Sequence, residues 1–311
     1  MIPVGVEAEK SIRSVITRIE MKDSNQSKTY LLVVITALIG GSVPVFMKII
    51  LTIIPPFSFT IIRFLLAVIV LIPLVSIKKL LNKDISKIII VSLFATINII
   101  LFSLAIRITS ASISQIIYTT VPIFSLILSK TLLHQQIRLK TVFGILLSLG
   151  GVLLIITLPI LEKATTLQSN LIGNFMILIA AMSYALYGVL SKPMQKHYKP
   201  LEITIMFIFV TLFSHIIIAI PEIKMINHWY LNLNIVLIGS VLYVGLLGTA
   251  FYYLLTQFVI KKLSPVIAST ILYLQPGATI FWAVLLLHET ITPFFVFGTI
   301  ITLFGVWLTN K

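Results

Sequence analysis

The chain has no cysteine, which excludes a disulfide frame, a thiolate metal site and a cysteine nucleophile. Carboxylates are nearly as scarce, with nine Asp and Glu in 311 residues. Glu7, Glu9, Glu20, Asp23, Asp84, Glu162, Glu202, Glu222 and Glu289 all fall in an N-terminal tail, in polar breaks or at the ends of apolar runs. No carboxylate occupies the middle of a run, where a buried acid would neutralise a cation or cycle a proton. A phosphate-cradling Walker loop is also missing, so the chain by itself cannot draw on ATP. Only 10% of the residues are charged against 59% hydrophobic, which excludes an ordinary soluble domain. Nothing in the sequence calls for a metal or another cofactor.

What is present is a series of apolar runs. In the first half they cover 30–53, 57–77, 88–107, 110–131 and 141–161. In the second they cover 171–192, 201–221, 235–259, 265–287 and 293–310. About 20 apolar residues span a bilayer core as a helix. Ile, Val and Thr are frequent, but runs this long are helices, because lipid offers backbone groups no other partner. They lack the period-two alternation of a membrane barrel. The expected fold is an all-α membrane protein with ten transmembrane helices. Residues 1–29 form a polar tail of mixed charge, without the apolar core of a signal peptide. Within it Ile12, Val15, Ile16 and Ile19 have the spacing of a short surface helix. Met21-Lys22-Asp23 has the form of a natural start, so residues 1–20 read as an upstream extension.

The net charge of +14 comes from 23 Lys and Arg. In a soluble protein that excess would suggest nucleic acid. Here the basic residues lie in short breaks between apolar runs, with no aromatic-lined polar surface for bases, so nucleic acid is not an expected partner. Their distribution is topological. With the N-terminus inside, eighteen fall on the inner side, and only Lys48, Arg63, Arg107, Lys163 and Lys224 fall towards the outer side. Both termini are expected to be cytoplasmic, in a multi-pass protein of the bacterial inner membrane.

One stretch occurs twice. Ser110 to Leu154 matches Ser264 to Leu308 at a constant offset of 154 residues. Pro122 then matches Pro276, His134 matches His288, Phe143-Gly144 matches Phe297-Gly298, and Gly151 matches Gly305. The first two runs of each half correspond at an offset of 144, with Lys48 on Lys192 and Pro56 on Pro200. The expected organisation is a first repeat over 30–161 and a second over 162–311. Five helices per half is an odd number, so the second repeat enters the membrane inverted.

In order and spacing these features resemble the EamA-type members of the drug/metabolite transporter superfamily. The resemblance rests on Gly40-Gly41-Ser42-Val43-Pro44-Val45-Phe46-Met47-Lys48 in the first run and Arg63-Phe64 in the second. The prolines of the fourth and ninth runs, Leu287-His288-Glu289-Thr290-Ile291-Thr292, and the glycines of the fifth and tenth complete it. His134-Gln135-Gln136 departs from it, standing where family members often carry a Glu. The resemblance implies ten helices with a substrate path between the halves, lined by the third, fourth, eighth and ninth. Studied members move amino acids, other metabolites, drugs or nucleotide-linked compounds.

Candidate substrate-binding residues follow from position. Asn98 lies mid-run, and Tyr252 is its counterpart in the second half. Gln115, Tyr118, Pro122 and Ser125 share one helical face. Tyr273, Gln275, Pro276, Thr279 and Trp282 form the corresponding group, and Tyr184 and Tyr187 sit mid-helix. Amides and hydroxyls can orient a polar ligand between aromatic walls, or can simply bond helix to helix. Pro122 and Pro276 each remove one backbone donor and supply a kink, either as a hinge with a free carbonyl or as a static bend. The glycines at 144, 151, 298 and 305 suit close helix packing. Arg63 and Lys48 can attract a carboxylate or phosphate, or extend to headgroups. His215 is a proton relay or a packed hydrogen-bonding group.

The expected function is a secondary transporter that exports a small polar metabolite, an amino acid or derivative, by alternating access. The alternative is an uptake or exchange carrier for a nucleotide-like or phosphorylated metabolite, which Lys48 and Arg63 would suit. An intramembrane enzyme is the remote alternative, since no His, carboxylate or Ser–base cluster forms and no catalytic residue is assigned. The expected partners are a small-molecule substrate and the lipid bilayer, with the chain a monomer or homodimer.

Overall fold

Proline and short polar side chains set where the helices start. Pro56 and Pro200 open theirs at the first helical position, where a missing N–H costs nothing. Ser110, Asn170 and Asn234 accept from the amides of Ile113, Gly173 and Leu237 at 3.0, 3.1 and 2.8 Å. The computed structural model describes residues 26–76, 85–133, 139–158, 170–224, 229–262, 265, 268 and 271–309. The expected tail helix, the start at Met21, and the breaks around Lys78–Lys83, His134–Arg138 and Lys163 lie outside the described residues.

The first half contains α1 (Gln26–Ile50), α2 (Pro56–Leu71), α3 (Ile85–Ala105), α4 (Ala111–Tyr118), α5 (Val121–Leu133) and α6 (Leu139–Ile156). The second contains α7 (Leu171–Met194), α8 (Pro200–Ile218), the short α9 (Ile220–Lys224) and α10 (Ile235–Gly245). A π-helical turn (Leu246–Phe251), α11 (Tyr252–Lys262), α12 (Ile271–Leu287) and α13 (Pro293–Thr309) complete it. Among the described residues there is no strand. Among the described residues seven helical spans are long and apolar enough to cross a membrane, and three shorter apolar helices occupy the places of the fifth, ninth and tenth runs.

Two expected continuous helices are interrupted. The fourth run breaks at Thr119–Thr120 between α4 and α5. Pro122 has no N–H to continue the ladder, and the residue before a proline is pushed from helical geometry. The Thr119 and Thr120 hydroxyls donate to the carbonyls of Ile116 and Ile117 at 2.6 and 2.7 Å. Its counterpart Pro276 sits inside an unbroken α12. The eighth run is interrupted by the π-helical turn, where Thr249 Oγ1 donates five residues back to Val244 O at 2.8 Å.

The packing pairs repeat equivalents. A Cβ on Gly151 would lie 2.8 Å from Gly298 O, and one on Gly305 would lie 2.8 Å from Gly144 O. Residue numbers rise along α6 as they fall along α13, so these two equivalents run antiparallel. The same holds for α2 and α8, where Phe64 meets Phe207 at 5.5 Å and Phe57 meets His215 at 5.9 Å between ring centroids. The glycine seam foreseen on the fifth and tenth runs is therefore used inside the chain, between α6 and α13, and offers no separate support for a homodimer.

Helix ends bridge the halves. His288 takes a left-handed conformation (φ 52°) after α12, and the Glu289 amide turns back to Ala283 O at 3.2 Å. Such a residue commonly ends a helix. It brings the Glu289 carboxylate over the start of α4, where it accepts from the amides of Ala111 and Ser112 at 2.8 and 3.2 Å. Glu222 does the same at the start of α2, accepting from Phe57 and Ser58 at 3.2 and 2.9 Å. Both acids sit where a helix N-terminus favours negative charge.

Candidate functional site

Small residues on α1 leave room for large ones opposite. A Cβ on Gly40 would collide with Gln275 Nε2 and lie 2.6 Å from Tyr252 Cε2, so a larger residue there would displace the Gln275 amide and the Tyr252 ring. Thr279 Oγ1 donates to Gly41 O at 2.5 Å and holds α12 against α1. These contacts wall one side of a cavity of about 60 Å³. Its lining comes from α1, α2, α3 and α4 of the first half and from α7, the π-helical turn, α11 and α12 of the second.

The cavity gathers Arg63, Asn98, Gln115 and Tyr118 from the first half. It faces them with Tyr184, Tyr252 and Gln275 from the second. Gln115 Nε2 donates to Gln275 Oε1 at 2.9 Å, and Gln275 Nε2 donates to the Tyr252 hydroxyl at 3.3 Å. Asn98 Nδ2 donates to the Tyr118 hydroxyl and to Ala180 O, the latter at 2.8 Å. Tyr253 adds a ring 4.7 Å from Phe207 and 6.4 Å from Tyr184. The polar groups thus form short chains across the interface, backed by an aromatic wall.

Arg63 is the charged group of this cavity. Only 3% of it is exposed. Its guanidinium lies over Phe64 and Phe59, 5.1 and 5.5 Å from the ring centroids, and Nη1 donates to Met47 Sδ at 3.6 Å. Nε has no hydrogen-bond partner, and among the described residues no carboxylate pairs with the guanidinium. Desolvating a lone cation costs several kcal/mol, on the order of what a buried ion pair must recover. Cation–π contacts return only about 2 kcal/mol even when dry.

Other expected residues lie elsewhere. The Lys48 amine donates to Thr109 O at 2.5 Å, and Lys192, its repeat counterpart, donates to Ile260 O and Lys261 O at 2.7 and 3.0 Å. Lys48 ties the end of α1 to the turn between α3 and α4, Lys192 ties the end of α7 to the end of α11, and neither lines the cavity. Trp282 packs on Phe46 and Phe281 at 6.4 and 5.3 Å, outside the cavity. Pro122 and Pro276 shape their helices without lining it. His215 is fully buried and meets its own helix at Thr211 O, 2.8 Å away, with its ring against Phe57.

The α1 wall of Gly40, Val43, Pro44 and Met47 was not among the expected site residues. Their spacing is that of one helical face, and that was the available signal. Tyr253 had no such signal, because neighbours on a regular helix point about 100° apart.

Comparison with known proteins agrees with this architecture. The profile of the EamA-like transporter family matches residues 27–157 and again 171–311. An uncharacterized transporter of Archaeoglobus fulgidus is 28% identical over 91% of this chain and 98% of its own length. One of Clostridium kluyveri is 26% identical, over 80% of this chain and 82% of that protein. A probable terminal-alkyne amino-acid exporter of Streptantibioticus cattleyicolor is 21% identical over 65% of this chain and 64% of its own. A solved crystal structure matches with a TM-score of 0.61 at 16% identity, covering 92% of this chain and 98% of that one, which speaks to the fold alone. The two profile matches, set on a multi-pass helical chain with a cavity between its halves, make this protein a member of the EamA-like transporter family.

Proposed function

We propose that this membrane transporter is a secondary carrier for a small metabolite bearing a carboxylate, an amino acid or derivative, with export as its direction. The observation that carries the substrate class is Arg63, a buried guanidinium in the cavity wall without an acidic partner among the described residues. A substrate carboxylate would supply that partner, and charge-assisted bonds to a guanidinium are the strong ones. The amides of Asn98, Gln115 and Gln275 would orient the polar remainder, and the tyrosine faces would hold an ammonium or apolar part. The amino-acid exporter among the relatives supports the same class.

Transport would run by alternating access between two inverted five-helix halves. The antiparallel pairing of α6 with α13 and of α2 with α8 supports that arrangement. The three shorter apolar helices would bring the crossings to ten. At 1.5 Å per residue, α12 with 17 residues reaches roughly 26 Å, near the thickness of a bilayer core. The basic side would be cytoplasmic, at the inner membrane.

A phosphorylated or nucleotide-like substrate is less well served. It brings up to about two negative charges, and the Lys48 amine is already engaged at Thr109 O. Counterflow in proteoliposomes, with amino-acid and nucleotide panels, tests the choice. Amino acids or their derivatives are expected to accelerate exchange. Arg63→Gln should raise KM at least about tenfold, equivalent to about 1.4 kcal/mol. Exchange restricted to phosphorylated compounds, or equal exchange of a substrate and its carboxamide analogue, would refute the proposal.

A further inference from the structure

A second, much narrower cavity, of about 20 Å³, continues from the first towards the helix ends that carry Lys192, Lys261 and Lys262. Ser125 and Thr256 are its hydroxyl groups besides the tyrosines, and Val121, Ile260 and Ile271 make it largely apolar. Tyr184, Tyr252 and Leu272 line both cavities. Side chains shared by two adjoining cavities form the septum between them. All three are buried, with exposures of 8%, 9% and 2%, so the septum is packed and not a gap. It draws on three elements of the second half, α7, α11 and α12.

The element leading into this septum is the least regular in the fold. Tyr252 comes directly after the π-helical turn, which is itself pressed against the first half. A Cβ on Gly248 would meet Val43 Cγ2 at 2.6 Å. A Cβ on Gly245, just before the turn, would meet Leu66 Cδ1 at 2.6 Å and Arg63 Cα at 3.4 Å. A π turn carries one residue more than the α-helix accommodates, so relaxation to regular helix rotates the residues beyond it by about 100°. Such a rotation would swing Tyr252 off the septum. The turn therefore connects the backbone of the cavity's cation to the tyrosine that closes the inner route.

We propose that the inner cavity is a second station on the transport path, and that Tyr184 and Tyr252 form the barrier separating it from the Arg63 cavity. This rests on the carrier reading above. The inner station would admit the substrate in transit as the septum opens and the cavity widens, with its apolar part against the aliphatic wall and its polar groups at Ser125 and Thr256.

The cysteine-free chain permits a direct test with single introduced thiols. Val43→Cys reports the Arg63 cavity and Ser125→Cys the inner one. A membrane-impermeant cationic methanethiosulfonate is applied to proteoliposomes from the side of Lys261 and Lys262. Ser125→Cys is expected to react at least about tenfold faster than Val43→Cys, a barrier difference near 1.4 kcal/mol. Adding Tyr184→Ala or Tyr252→Ala should bring the Val43→Cys rate up to that of Ser125→Cys and leave the latter unchanged. Leu272→Trp, which thickens the septum, should slow Val43→Cys further and serves if the alanine variants fail to fold. Equal rates with both tyrosines present, or a rate ratio that ignores all three substitutions, would overturn the proposal. Labelling needs no substrate. A chain with this rate ratio that exchanges no metabolite would keep the septum and lose the carrier reading.

Discussion

Two cations inside the apolar runs, Arg63 and Lys48, have opposite fates. The guanidinium stays in the cavity wall, wedged over Phe59 and Phe64, with a sulfur as its polar contact. The amine reaches the Thr109 carbonyl in the turn between α3 and α4, and its repeat counterpart Lys192 reaches the last carbonyls of α11. For Lys192 the helix end favours a cation, and for Lys48 the hydrogen bond holds the end of α1 to the turn. Lys48→Met should therefore lower the stability of the purified transporter by about 1–2 kcal/mol, read as a lower midpoint of thermal unfolding. Substrate KM should stay within about twofold, less than 0.5 kcal/mol, and Lys192→Met should behave alike. A tenfold rise in KM for Lys48→Met would instead assign the amine to the substrate, by about 1.4 kcal/mol.

Among the elements, α6 and α13 meet most intimately. Gly305 faces the Ser148 backbone, where a Cβ would collide with the amide nitrogen, and backbone cannot step aside. Gly150, one position from Gly151, has nothing within 4 Å. Gly305→Ala should cost about 1–3 kcal/mol as overpacking. Gly150→Ala should be neutral or gain up to about 1 kcal/mol from helix propensity. Unfolding midpoints of the two variants in one detergent compare them, and equal effects would refute the assigned seam. The two prolines make the same point about context. Pro122 coincides with a break into two helices, whereas Pro276 is absorbed in one.

For the whole molecule, sidedness is the property that sets the transport route. Asn232 lies in the turn before α10 and Lys262 at the end of α11. Thiols introduced singly at the two positions should react with an impermeant reagent from opposite faces, Lys262→Cys from the face that carries most basic residues. Reaction of both from one face would contradict the span from α10 through α11. Glu289 and Glu222 each fasten a segment of the second half onto a helix start of the first. The halves are thus joined at their ends, while the cavity between them is lined by side chains.

The sequence by itself determined the helical class, the runs, the duplication and most of the cavity's polar residues. These rest on local rules: apolar length fixes a spanning helix, an offset fixes equivalence, and spacing fixes which residues share a face. Asn98, Gln115 and Gln275 were legible because polar groups mid-run are conspicuous. The tertiary structure decided everything that depends on distance between remote segments. It separated Arg63 from Lys48, placed Gly40 against Gln275 and moved Trp282 away from the cavity. It also inserted a π-helical turn just ahead of Tyr252 and Tyr253, which share the cavity wall. The reason is physical: the direction of a side chain comes from its own helix, but its partner comes from whichever helix packing brings alongside.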